Sequence, residues 1–266
     1  MRHIFKFTFL LFAGSILFTS CKKDNTIAPD EISSETLAQI YNHGFGTNNV
    51  QKVEEGYLVE GDIVLTPEFL AQAPGGHFLR IANNEQYRTT NLVNGPRTIT
   101  LSMDSKLRNK AGYTAALDMV ADRYNAQNLS LNFSVVNSNG NIRFSNLTGP
   151  YLASAGFPSG GQPYGSVRVN ASAIGTGTSA TFINYLATIL SHEVGHCIGF
   201  RHTDFMNRQF SCGGAFSNEG QSSSGAIHIP GTPTAADPDS WMLACIGNLV
   251  NRPFNANDAT ALDFLY

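Results

Sequence analysis

Between Thr181 and Asp204 an apolar stripe at helical spacing runs straight into a cluster of histidines, and no other stretch limits the fold as tightly. Phe182, Ile183, Leu186, Ile189, Leu190, Val194 and Cys197 fall on or near one face, which predicts a buried helix over Thr181–Cys197. His192 and His196 stand four apart at its end, so both imidazoles leave one face about a turn apart, as two ligands of one ion must. Gly199 supplies a left-handed turn after the helix, and His202 can swing back to complete a three-histidine set. Three neutral nitrogens leave a fourth tetrahedral position for water, whose pKa Zn²⁺ lowers from 15.7 to about 7. Glu193, next to the first ligand, is placed to take that water's proton.

His-Glu-x-x-His alone is common, and an exposed helix end competes as its explanation. The added Gly199 and His202 change the odds. With 25 Gly and 7 His in 266 residues, both arise by chance roughly once in 400. The whole stretch resembles the metzincin zinc endopeptidases, and Gly199-Phe200-Arg201-His202-Thr203-Asp204 looks most like the bacterial dual-action metallopeptidases. That resemblance implies one catalytic Zn²⁺ on His192, His196 and His202, with Glu193 as general base and acid. It implies an α+β domain: a twisted mixed sheet, an active-site helix, a second long helix and a C-terminal helix. It also demands a methionine turn under the metal. Met242, in Ser240-Trp241-Met242, fits, whereas Met206 follows His202 too closely. Ala244 stands where some metzincins carry a tyrosine ligand, so no fifth ligand is expected, and calcium, though compatible, is not indicated.

The other histidines have no ligand spacing. His3, His43, His77 and His228 read as solvated or packed residues, with His228 nearest the cleft. Asp204 is either an acceptor behind a ligating histidine or a turn carboxylate.

Around the motif the period alternates. Thr98–Met103, Leu129–Val135, Ile142–Phe144 and Ser166–Val169 read as strands, and Tyr113, Ala116, Leu117, Val120 and Tyr124 give Ala111–Gln127 an apolar helical face. Phe205–Ser240 is a long Gly- and Pro-punctuated stretch, of a length that usually serves function. Asn255 with Asp258 at its third position predicts an N-cap opening a helix through Leu265. The ending from Pro253 to Tyr266 is similar to the last helix of matrixin domains, so the resemblance covers roughly Thr98 to Tyr266.

The amino-terminal end reads as an address. Arg2 and Lys6 precede an apolar run from Phe7 to Phe18, too short for a membrane span and suited to a signal peptide. Phe18-Thr19-Ser20-Cys21 resembles a bacterial lipobox with Phe18 in place of the usual Leu, which implies lipidation of Cys21; the alternative is an ordinary secretory signal. The expected organisation is a signal over 1–20, a lipidated flexible tether over 21–40, a pro-segment over 41–96 and the catalytic domain over 97–266. Export permits a disulfide, with Cys212 and Cys245 the chosen pair because both flank the long loop. Cys197 reads as a small core residue.

Val59-Glu60-Gly61-Asp62-Ile63 resembles the aspartate switch of astacin pro-segments, where an Asp after Gly takes the zinc's open position; Val59 replaces the family's Phe. A plain Gly-Asp turn into a strand remains equally open. The switch predicts activation by cleavage between Gln72 and Pro96.

Seventeen basic and 20 acidic side chains leave a net charge of −3, which argues against nucleic acid as a partner. Charged residues make up only 14%, in keeping with an exported, loop-rich surface. The expected partners are a polypeptide substrate, lying beside an edge strand, and a membrane reached through the lipid. The expected state is a monomer at the outer membrane or cell surface of a bacterium. The rival reading is a surface-anchored binding lipoprotein on a catalytically inert metzincin scaffold, for which Glu193 would be unnecessary.

Overall fold

The computed structural model describes residues 32–72, 86–149, 151–216, 218, 226–233 and 236–266. In chain order, α1 (Ser34–Asn42) leads into an antiparallel meander of β1 (Gln51–Val53), β2 (Gly56–Val59) and β3 (Ile63–Leu65), followed by the one-turn α2 (Pro67–Leu70). After β4 (Tyr87–Arg88) come β5 (Arg97–Met103), α3 (Ser105–Arg108), α4 (Tyr113–Asn125), β6 (Leu131–Val135), β7 (Ile142–Asn146), β8 (Ala153–Ser154) and β9 (Ser166–Val169). Then α5 (Ala171–Ile174), α6 (Ala180–Ile198), β10 (Phe200–Arg201), α7 (Gln209–Cys212), β11 (Ile227–His228) and α8 (Ala256–Leu265) follow.

The main sheet has the order β6-β5-β7-β9-β8, parallel except for the antiparallel edge strand β8. Parallel neighbours need a crossover, and α4 supplies it between β5 and β6. Its apolar face, Leu117, Val120 and Tyr124, packs with Ile99, Leu101, Phe144 and Val167 from the sheet and Leu186 and Leu190 from α6. The class is α+β with the three expected helices. Helix α6 starts at Ser179, whose Oγ accepts from Phe182 N at 3.2 Å, and ends at Gly199, whose φ of +117° an L side chain rarely adopts. A capping box of Asn255 and Asp258 opens α8.

Three stretches hold structure that the sequence pattern does not announce. Residues 34–40 of the expected tether lie in α1, capped by Ser33 Oγ on Thr36 N at 3.1 Å. Its one fully buried apolar residue, Ile40, joins a satellite cluster with Phe45, Val59, Ile63, Leu65, Phe69 and Phe157, so tertiary packing makes a helix that periodicity does not announce. Within the span expected as pro-segment, 41–96, β4 is paired between β10 and β11. A two-residue strand carries no alternation to read. Finally, Phe205–Ser240 is not wholly irregular: it contains α7 and β11. Cys21, His3 and His77 lie outside the described residues.

Candidate metal centre

Helix α6 delivers His192, Glu193 and His196 to the floor of a cleft, and the turn at Gly199 returns the chain so that His202 faces them. All three histidines are buried, with ring centroids 4.6 to 5.3 Å apart. Each of the first two is oriented from behind. His192 Nδ1–H donates to Trp241 O and His196 Nδ1–H to Phe200 O, both at 2.9 Å, which turns each Nε2 lone pair inward. Asp62, on the turn between β2 and β3, completes the group: its Oδ2 stands 3.1 Å from His202 Nε2 and 3.5 Å from His192 Nε2. One ligand atom from each of the four residues lies within 4.8 Å of the others.

The donor set suits one zinc ion. His196 Nε2 is buried without a hydrogen-bond partner, although an imidazole nitrogen so placed costs free energy unless something binds it. Three nitrogens and one carboxylate oxygen are a zinc-like set. The electrostatics agree. Burial, then His192 and His202, push His196 well below its usual range, so it stays neutral and able to ligate. Burial raises Asp62, but the His202 charge and hydrogen bonds to His192 and His202 outweigh it and hold the carboxyl well below its usual range. Burial, then the Asp62 charge, push Glu193 well above the ordinary carboxylate range. Glu193 Oε2 has no hydrogen-bond partner.

Below the histidines, Ser240–Leu243 form a tight turn, closed by Leu243 N to Ser240 O at 3.4 Å. Met242 is fully buried there, and Thr203 N donates to Met242 O at 3.0 Å, fastening the turn to the residue after His202. Gly195 faces it so closely that a Cβ would lie 2.5 Å from Met242 Sδ. Asp204 serves the same region as a turn carboxylate, accepting from Ala244 N at 2.9 Å and Ser211 Oγ at 2.5 Å, rather than supporting a histidine. Cys212 and Cys245 are disulfide-bonded beside it, and Cys197 is free and buried. A cavity of about 280 Å³ opens next to Glu193, walled by Ile189, Leu152, Trp241, Leu243 and the arginines Arg208 and Arg252. His43 packs against Phe69 and bonds Leu70 O, and His228 bonds Thr232, so neither enters the site.

The segment bearing Asp62 is pinned to the body. Ala155 N donates to Asp62 O at 2.8 Å and Val64 N to Ala155 O at 2.6 Å, extending the sheet beyond β8. Glu60, in a left-handed conformation (φ +54°), meets Arg201 through both carboxylate oxygens at 2.5 Å. Arg201 also lies over the Phe45 ring at 4.6 Å. Sequence reasoning missed this pair. Its one signal was an arginine set between Phe200 and His202 in an otherwise buried motif.

The model of the dual-action HEIGH metallo-peptidases matches residues 58–266, and here Val194 stands at the isoleucine of that name. Comparison with curated proteins returns no match. Two structures of myroilysin align at 15% identity and a TM-score of 0.40, covering 66% of this chain and 86% and 96% of theirs. A GM1-bound form of the ECX AB5 holotoxin aligns at 14% identity and a TM-score of 0.34, covering 51% of this chain and 65% of its own.

Proposed function

The chain belongs to the dual-action HEIGH metallopeptidase family and is a zinc metallopeptidase, and from that premise we propose an exported, lipid-anchored endopeptidase made as a zymogen latched by Asp62. The observation that carries the latch is the Asp62 carboxylate among three histidines, 3.1 Å from His202 Nε2. In this reading His192, His196 and His202 hold the zinc and Asp62 fills the remaining position. When bound, zinc supplies Lewis acidity to the peptide carbonyl and acidifies water.

The chain's own residues do the rest. Glu193 accepts the proton of the attacking water and returns it to the leaving amine. Met242 floors the ligand set, and the carbonyls of Trp241 and Phe200 keep His192 and His196 in the ligating tautomer. Once the Asp62 strand leaves, the main chain at Ala155 becomes free to pair with a polypeptide laid along the sheet edge. The activating cut falls between Gln72 and Pro96. Cys21 carries the lipid that holds the protein at the outer membrane or cell surface of a bacterium.

The test is hydrolysis of casein by purified full-length protein, with and without a chelator, before and after limited proteolysis. Activity should appear after the cut or in full-length Asp62→Ala, and should vanish with chelator. Equal activity in full-length wild type and Asp62→Ala would remove the latch. No hydrolysis in any form would favour the inert binding scaffold. Fatty-acid labelling that persists in Cys21→Ala would remove the anchor.

A further inference from the structure

Residues 54–62 carry Glu54, Glu55, Glu60 and Asp62, and the body meets this acidic run with arginines from separate elements. Arg168, on β9, pairs with Glu55 and stands 3.4 Å from Glu54. Arg201, on β10, takes Glu60 in a two-oxygen grip, and Arg208, just before α7, donates to the Glu60 carbonyl. Arg208 also reaches the cavity beside Glu193, where Arg252 forms another wall and donates to Cys245 O at 2.8 Å. Among the described residues, the only acidic ones lining that cavity are Asp62 and Glu193. When the latch leaves, Glu193 keeps its place and shares the cavity with Arg208 and Arg252.

The acidic run also lies where a substrate strand would lie, because Asp62 and Val64 are the residues bonded to Ala155 at the sheet edge. Resting on the peptidase reading, we propose that the cleft selects polypeptides with carboxylate side chains close to the scissile bond, and that Glu60 occupies on Arg201 the place of such a carboxylate. Both Glu60 oxygens accept from one Arg201 nitrogen, Nη2, a charge-assisted contact that the neutral amide of Gln cannot reproduce. The Phe205 ring, 5.5 Å from the Arg201 guanidinium and part of the body, stays behind to orient it. The pro-segment therefore inhibits twice, at the metal through Asp62 and at the recognition site through Glu60.

The experiment uses full-length protein freed by limited proteolysis, with paired quenched-fluorescence peptides that differ only in Glu against Gln on both sides of one bond. A charge-assisted contact predicts kcat/KM for the Glu peptide about tenfold or more above the Gln peptide, mostly through KM. The ratio should shrink as salt rises. Arg201→Gln and Arg168→Gln should each bring it toward one. Should Arg201→Gln fail to fold, Arg168→Gln alone must still lower it. A ratio near one in chelator-sensitive wild type overturns the inference while leaving the peptidase reading intact, the arginines then serving the pro-segment alone. Failure to cut casein or either peptide overturns the peptidase reading, and this inference with it.

Discussion

Glu60 and Arg201 form a buried ion pair that fixes the turn carrying Asp62 to the residue just before His202, with both Glu60 oxygens 2.5 Å from one guanidinium nitrogen. The aspartate among the histidines and the glutamate on the arginine lie on one short turn, so the second contact supports the first. Breaking one partner of a buried pair costs about 3–5 kcal/mol. Full-length Glu60→Gln should therefore hydrolyse casein faster than full-length wild type without any cut, and its residues 32–72 should be removed sooner by added protease. A Glu60→Gln protein as silent and as resistant as wild type would show that Asp62 alone secures the segment.

Glu193 and the three histidines separate binding from chemistry. Glu193→Ala leaves all four grouped donors in place, so zinc content should stay near one per chain after dialysis. Hydrolysis should drop by about 10²–10⁴, the range general acid and base catalysis supplies. His202→Ala should instead lose the metal. Metal analysis beside a casein assay distinguishes the two, and an active Glu193→Ala protein would refute the assigned role.

A third expectation concerns the glycine between the helical ligands. A Cβ on Gly195 would meet Met242 Sδ at 2.5 Å and Trp241 Nε1 at 3.2 Å, so helix and turn approach more closely than any side chain allows. Gly195→Ala should lower unfolding free energy by about 1–3 kcal/mol, the usual cost of overpacking. Met242→Ala makes room but leaves a void, costing about 2–5 kcal/mol. The double variant should cost less than the sum, since each change relieves the other. Strict additivity in denaturant titrations would mean that the two residues do not touch.

What could be read from the chain was whatever repeats or is spaced by geometry. Helix α6, strand β9 and the Asn255–Asp258 capping box depend on local period and local hydrogen bonds, and they stand within a residue of where the pattern places them. The histidine spacing encodes its own convergence because a helix fixes it. By contrast, β4 is two residues long and exists only because β10 and β11 flank it, and α1 is anchored by the lone buried side chain of Ile40. The Glu60–Arg201 pair joins residues 141 positions apart, and no local rule connects them.

Asp258 provides a pH-dependent test of how the C-terminal helix is joined to the methionine turn. Its Oδ1 accepts from Ser240 Oγ at 2.9 Å and from Gln86 Nε2, and its Oδ2 accepts from Trp241 N at 3.2 Å and Asn255 N at 3.1 Å. Burial nevertheless dominates and pushes its carboxyl up to about 7 from 3.8, against the downward pull of those bonds. The folded chain thus holds a proton that the unfolded chain has released. Its contribution to stability is whole below about pH 3.8, declines as pH rises and is lost above about 7. Asp258→Asn cannot ionise, and it sets an amide donor against the Trp241 and Asn255 donors, so it should be less stable than wild type in acid. The gap between the two should narrow from pH 4.5 to about pH 7 and level off above it. His196, pushed down by burial, drives both proteins in the opposite direction and cancels in the difference. Chemical denaturation of the pair at several pH values measures that gap. A gap that is constant or widens with pH would mean that Asp258 is ionised throughout, with the four hydrogen bonds prevailing over burial.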